Sequence, residues 1–315
     1  MVNILSIDLE DYYMVSAFET MVKREDWHKY ESRIERNTHR ILDILNGTLT
    51  THHSPLRTAV RATFFCLGWI AEKYPGLIKE IDRQGHEVSS HGYDHRLVYH
   101  MTPEEFRTEA KKSKNILEDL TGKKVIGYRA PSCSITEKSL WAFRILAEEG
   151  YQYDSSIFPI HHDRYGIPTA PRLPFVVNLD GSQDPVLERS RDLRYLTPDA
   201  TSEASAKGHQ IIEIPLSTVR YFGCNVPVSG GGYFRLFPYS LIKAALKKIN
   251  RLDDSPFVIY LHPWEVDPDQ PRMRDISAFS RFRHYINLNK TADKLKILLN
   301  DFAFSSMRNA IGIET

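Results

Sequence analysis

His91 and His95 stand four residues apart in Ser90-His91-Gly92-Tyr93-Asp94-His95, a spacing that lets two imidazoles converge on one cation if the segment turns helically just past a strand. One carboxylate would complete a two-histidine, one-carboxylate set with positions left open to water and substrate. Zinc suits that mix, and other divalent transition metals accept the same ligands. Asp8 and Glu10 share one side of an extended strand end because side chains alternate with period two, so one can bind metal while the other works beside it. Asp11 follows directly. Arg129, two residues before Pro131, could aim a guanidinium into a cleft and hold a carboxylate ionised by bidentate pairing. His262 ends the apolar run Phe257-Val258-Ile259-Tyr260-Leu261. Each residue also has a bland alternative: a surface histidine pair, an acidic helix-capping turn, a surface arginine, a packed histidine. Their joint position at strand ends weighs against those alternatives.

The elements that must position them alternate β with α. Asn3 to Asp8 reads as a first strand, followed by a helix from about Thr38 to Leu45 closed by Asn46-Gly47. Ala62 to Leu67 reads as a second strand, with a helix around Pro75 to Ile81 stopped by Gly85. Glu87 to Ser90 is the third strand. Thr102-Pro103-Glu104-Glu105 carries an N-cap, a proline at the first helical position and a capping-box glutamate, and opens a helix to about Leu120 before Gly122. Val125 to Tyr128, a helix over Thr136 to Glu149, and Tyr151 to Ser155 continue the rhythm. Prolines 159, 168, 171, 174, 185 and 198 then break it, marking an insertion over about 156–210. Ile211 to Leu216 resumes a strand, Pro238 to Ile249 a helix, Phe257 to Leu261 a buried strand, and Thr291 to Phe302 an amphipathic last helix. The count predicts an α/β fold: a closed or nearly closed (β/α) barrel of seven or eight strands in one domain over 1–315, with a C-terminal extension from about 266. In such a barrel the C-terminal strand ends meet on one rim, where active sites are built. Asp8, Glu10, His91, His95, Arg129 and His262 would all lie there, with Asp154 in the fifth strand.

Bulk properties exclude several classes. The 315 residues carry 41 basic and 40 acidic side chains, a formal charge of +1 with no long run of one sign, so neither a nucleic-acid groove nor recruitment by bulk charge is expected. Cys66, Cys133 and Cys224 are odd in number and widely spaced, which fits reduced structural thiols rather than a disulfide framework or a sulfur-based zinc site. The N-terminal residues lack the features of a secretion signal, and no apolar run approaches the ~20 residues of a spanning helix. The expected location is the cytoplasm, with the inner-membrane surface as an alternative. A homo-oligomer is compatible with the sequence. No G-x-S-x-G is present, and Gly230-Gly231-Gly232 lacks phosphate-loop spacing, which leaves a tight turn or bulge. His52-His53 and His161-His162 read as surface pairs.

Ser90 to His95, Arg129-Ala130-Pro131-Ser132 and Leu261-His262-Pro263, in that order behind an acidic strand end, resemble the NodB-type polysaccharide deacetylases of carbohydrate esterase family 4. Ile7 to Tyr13, Tyr153 to Pro159, Gly230 to Arg235 and His262-Pro263-Trp264-Glu265 resemble the branch encoded with exosortase and exopolysaccharide loci. The resemblance implies a distorted (β/α) barrel holding one divalent metal, usually zinc. It further implies Asp8 as catalytic base, His91 and His95 as the metal pair, Arg129 as the group that positions the base and His262 as general acid, with Asp154 orienting His262. The common motif has two adjacent aspartates, whereas Leu9 follows Asp8 here. A variant Asp-x-Asp pattern aligns its second acid with Glu10, making Glu10 the favoured ligand and Asp11 the alternative.

The implied reaction starts from water acidified by the cation, which loses a proton to Asp8 and attacks the carbonyl carbon of an N-acetyl group. The oxyanion would be stabilised by metal and a backbone N–H while His262 protonates the departing nitrogen. The expected partner is an N-acetylated polysaccharide or oligosaccharide. Tyr93, Tyr128, Pro131 and Trp264, with Tyr233 and Phe234, could contact sugar rings, against a core-packing role for each. Hydrolysis of small cyclic amides or ureides, and glycan binding without catalysis, are the competing readings.

Overall fold

The computed structural model describes residues 1–47, 59–162, 164–179, 185–188, 210–274 and 276–313. The first half runs β1 (Val2–Leu9), α1 (Ile34–Leu45), β2 (Thr63–Cys66), α2 (Gly68–Lys73), α3 (Pro75–Arg83), β3 (Glu87–Ser90), α4 (Pro103–Thr121), β4 (Gly127–Tyr128), α5 (Trp141–Glu148) and β5 (Tyr153–Asp154). The second half adds β6 (Phe175–Asn178), β7 (Val186–Glu188), β8 (Gln210–Glu213), β9 (Thr218–Tyr221), β10 (Cys224–Pro227), α6 (Gly231–Leu236), α7 (Tyr239–Lys248), β11 (Val258–Leu261), α8 (Ala278–Tyr285), α9 (Leu288–Asp301), β12 (Ala303–Ser305) and α10 (Met307–Ala310).

Seven strands run parallel in the order β11-β1-β2-β3-β4-β5-β8, and the staggered C-terminal strand β12 pairs with the start of β1. Beyond β8, β6 and β7 extend the sheet in antiparallel sense. The space between β8 and β11 is bridged by the Val228–Gly230 segment: the Val228 N–H donates to Ser217 O, the Tyr260 N–H donates to Ser229 O, and Gly230 forms a parallel bridge with Tyr260. This is the distorted, nearly closed (β/α) barrel that the alternation of elements predicts.

Period two sorts the strand residues into two cores. Leu5, Ile7, Phe64 and Ile259 face the surrounding helices. Ile4, Phe65, Tyr153, Ile212 and Val258 face inward, where Met307, Ile311 and Ile313 join them and close the N-terminal end of the barrel. The Met307 N–H donates to Thr63 Oγ1 at the first residue of β2, which pins that closure. Continuing the inward parity along β1 gives Ser6, Asp8 and Glu10. Along β11 it gives Tyr260 and His262.

Helix α4 has the predicted box: Thr102 Oγ1 accepts from the Glu105 N–H, Glu105 accepts from the Thr102 N–H, and Gly122 ends the helix in the left-handed region at φ 67°. Other expectations need revision. The Thr136–Glu149 helix is a 3-10 turn at Glu137–Ser139 followed by α5. The insertion contributes β6 because Phe175 and Val177 bury an alternating face against β8 despite the flanking prolines. Gly230 is strand-like and Gly231 opens α6, so the triple glycine is neither a bulge nor a tight turn. The last predicted helix is followed by β12 and α10. Cys66 and Cys133 are buried free thiols, whereas Cys224 is exposed and so has no packing role. His52-His53 lies outside the described residues. Among those described, no helix is long and apolar enough to cross a membrane.

Candidate active site

The parallel strands deliver their polar residues to one rim. Glu10 follows β1, His91 follows β3, Arg129 follows β4 and His262 follows β11. One ligand atom from each of Glu10, His91 and His95 lies within 4.8 Å of the others, and all three residues are buried. The segment between the histidines is not helical. Gly92 at φ 74° and His95 at φ 60° turn the chain through the left-handed region, and that turn, rather than a helical one, brings the two rings to 5.7 Å. Glu109 on α4 braces the turn by accepting from the Tyr93 N–H at 2.9 Å.

The protonation pattern suits a cation. Burial, reinforced by His95, pushes the His91 imidazole down to about 4, so it is neutral. Its Nδ1–H donates to the Arg129 carbonyl at 2.8 Å, which fixes the tautomer and leaves the Nε2 lone pair for a ligand. Burial opposes charge on Glu10, yet His95 and His262 hold its carboxyl well below the usual range. Glu10 Oε2 lies 2.8 Å from His95 Nε2 but off the direction of a hydrogen bond, so this buried oxygen has no donor. A buried acceptor without a donor is costly, and a cation would satisfy it.

Two arginine–carboxylate pairs flank this cluster. On one side Arg129 Nη1 donates to Asp8 Oδ1 at 2.7 Å and to Ser6 Oγ at 2.8 Å, while Nε and Nη2 donate to Ser155 O and Oγ. On the other side Glu265 Oε2 accepts from the His262 N–H at 2.9 Å and lies 3.0 Å from His262 Nδ1, and Glu265 Oε1 accepts from Arg235 Nε at 2.7 Å. His262 Nε2 sits 3.0 Å from Glu10 Oε1. Burial disfavours an imidazolium here, but Glu10 and Glu265 outweigh it and raise His262 to about 10. The His262 side chain is 17% exposed against 5% or less for Asp8, Glu10 and His95, which makes it the most accessible of the four.

Several expected residues fall elsewhere. Asp11 accepts from the Tyr12 and Arg33 N–H groups and from Ser32 Oγ, so its oxygens brace the approach to α1, outside the Glu10–His91–His95 group. Asp154 pairs in register with Tyr128, outside the inward parity, and accepts from the Ser156 N–H and Oγ; Glu265 takes the orienting place at His262. Tyr128 is core, packed edge-on against Phe106 and Tyr151. Pro131 and Phe234 are buried. Trp264 is buried, with His262, His284 and the Arg235 guanidinium all against its ring, so it offers no open surface to a sugar. Tyr93 donates to Glu72 at 2.7 Å beneath Lys112, away from the cluster. Tyr233 is half-buried against Phe158 and Phe237.

Sequence reasoning missed Glu265, Arg235, Glu213 and Gly231. The i,i+3 spacing of His262 and Glu265 was the available signal for the first. Glu213, at the end of β8, accepts from the Ile157 N–H; burial and then Asp154 raise its carboxyl well above the usual range, so the Asp154–Glu213 pair carries a proton. Gly231 is dictated by packing, since a Cβ there would lie 2.0 Å from the Glu265 carboxylate.

A nearly closed parallel barrel with a carboxylate and two histidines at its strand ends defines a NodB-type architecture. The family model described as "Polysaccharide deacetylase" matches residues 26–153 of this chain. A second model, "Domain of unknown function (DUF3473)", matches residues 190–312. The peptidoglycan-N-acetylglucosamine deacetylase of Bacillus cereus is 38% identical over 84 residues, covering 26% of this chain and 30% of that protein. The peptidoglycan deacetylase of Helicobacter pylori is 35% identical over 107 residues, 32% of this chain and 33% of that protein. The chain thus spans about a third of the length of these relatives. A solved structure of a polysaccharide deacetylase from Mycobacterium smegmatis superposes with a TM-score of 0.54 at 15% identity, over 99% of this chain and 90% of that one, a likeness of fold.

Proposed function

We propose that this protein is a metal-dependent hydrolase that removes N-acetyl groups from amino-sugar residues of a polysaccharide or its precursor. The observation that carries the reading is the Glu10–His91–His95 cluster set between Asp8, held by Arg129, and His262, held by Glu265. A divalent cation, zinc by the donor set, would polarise the amide carbonyl and acidify water at this position. Asp8 then accepts the proton of the attacking water, its carboxylate fixed by the guanidinium of Arg129. His262 donates a proton from Nε2 to the departing nitrogen, with Glu265 anchoring Nδ1 so that the ring keeps one orientation. Free amino sugar and acetate leave. We read residues 1–315 as one catalytic domain, with the 156–210 insertion and the extension from 266 built onto it. The motif text around Ile7–Tyr13 and Gly230–Arg235 favours an exopolysaccharide, or its lipid-linked precursor, as the polymer.

Metal content and acetate release from N-acetylglucosamine oligomers test this together. Wild type is expected to hold about one divalent ion per chain and release acetate, His91→Ala to lose both, and Asp8→Asn to keep the ion while losing ~10³-fold in turnover. Full metal in His91→Ala would remove the site. A metal-loaded wild type that opens a cyclic amide and leaves acetylated oligomers intact would replace the substrate class.

A further inference from the structure

Helix α8 has an unusual division of faces. His284 is its buried residue, stacked 4.2 Å from Trp264, which in turn stacks on His262. Five of its eight residues, Ala278, Phe279, Arg281, Phe282 and Arg283, are exposed. Phe279 and Phe282 are 69% and 54% exposed, neighbours at i,i+3 on one turn. Beside them an open recess of about 510 Å³ is lined by Ile276, Ala278, Arg281, Phe282, Tyr285 and Ile286. Arg272 lies over the Tyr285 ring, Arg283 over the Phe279 ring, and Arg281 lines the recess; between Asp269 and Asp293 the sequence holds Asp275 as its one acid against Arg272, Arg274, Arg281, Arg283 and Lys290.

Scattered exposed apolar residues need no explanation, but two phenylalanines beside an apolar recess with arginines alongside have a specific partner chemistry. Aromatic rings lower their free energy at the headgroup boundary, and each nearby arginine adds attraction to anionic lipid. The rigid mount matters as much. Arg235 donates from Nη1 to the carbonyls of His284 and Ile286 and from Nη2 to that of Arg283, so the end of α8 is tied to the same side chain that grips Glu265. A surface held by the outer face of α8 would therefore be separated from His262 by the helix and the Trp264 ring.

We infer that the outer face of α8, with Phe279, Phe282 and the arginines around them, docks on an anionic phospholipid bilayer and holds the rim beside it. The binding does not depend on the reaction assigned to the rim. The test is co-sedimentation of the full chain with vesicles of phosphatidylcholine alone or mixed with phosphatidylglycerol, read beside size-exclusion chromatography. Wild type is expected to pellet with the mixed vesicles and much less with the neutral ones, and to be released as salt rises. Phe279→Ser/Phe282→Ser, both exposed and so compatible with an unchanged circular-dichroism spectrum and melting temperature, should weaken the partition about tenfold. Arg281→Ser/Arg283→Ser should abolish the preference for anionic lipid. Equal binding to both vesicle types, no binding, or a partition unmoved by the serine variants overturns the inference. So does a wild-type dimer that the phenylalanine variant converts to monomer, since a second copy would then own the face.

Discussion

The two flanks of the rim solve the same problem by different routes. Each buries an arginine against a carboxylate. On the Asp8 side the arginine touches the carboxylate itself; on the His262 side Arg235 touches Glu265, which touches the imidazole. The first pair is built within the regular half, where β1 and β4 end in the same barrel. The second joins the end of β11 to α6 and three carbonyls around the end of α8. A direct pair fixes one oxygen, whereas a relayed pair fixes a ring orientation and ties it to a surface helix. A buried charge left without its partner is strongly destabilising, so both arginines should be structural as well as functional.

Breaking the relay at its root has the largest expected effect. Arg235→Met strands the Glu265 carboxylate, whose charge Arg235 helps hold with a pKa of about 2, and should cost about 3–5 kcal/mol in urea unfolding. Arg235→Met/Glu265→Leu should recover most of that stability while leaving acetate release low; recovery of activity as well would show that His262 needs no relay. Next comes Gly231→Ala, whose methyl group would meet Glu265, with about 1–3 kcal/mol lost and turnover reduced while metal content stays at the wild-type level. Wild-type turnover in that variant would place the collision away from His262.

The smallest effect separates the flanks by pH. Burial, then Arg235, lowers His284 to about 3, below the ~6.5 of an unfolded chain. The unfolded state therefore takes up the proton first, and stability falls as pH drops below ~6.5 toward 3. Wild type should lose about 1–2 kcal/mol more than His284→Phe between pH 7 and pH 5 in chemical unfolding. Equal losses would assign the acid sensitivity to other groups.

The legibility of these flanks from sequence differs for the same physical reason. Asp8, Glu10, His91, Arg129 and His262 follow from strand ends and period-two parity, which are local. Thr102 to Glu105 announced α4 because a capping box is complete within four residues. Asp11 and Asp154 show the limit. Both are acids beside the right strands, but Asp11's acceptors are filled by the approach to α1 and Asp154 has the wrong parity. Glu265 could be suspected from its spacing to His262. Arg235 could not, because its value lies in carbonyls about fifty residues further on. The aromatic residues misled in the same way: Trp264 stacks with both His262 and His284, and nothing in its immediate sequence reports the second ring.

The pairing of β1 with β11 joins Ile4 to Val258 and Ile7 to Leu261, residues at opposite ends of the chain. His91 and His95 meet β1 from one side through β2 and β3, while His262 meets it from the other. The proposed site thus straddles the β1–β11 seam. Closing so long a loop is slow and entropically costly, so the strand carrying Asp8 and Glu10 would acquire its histidine pair early and His262 late in folding. Any loosening of that seam would part His262 from Glu10 before it unfolded the chain.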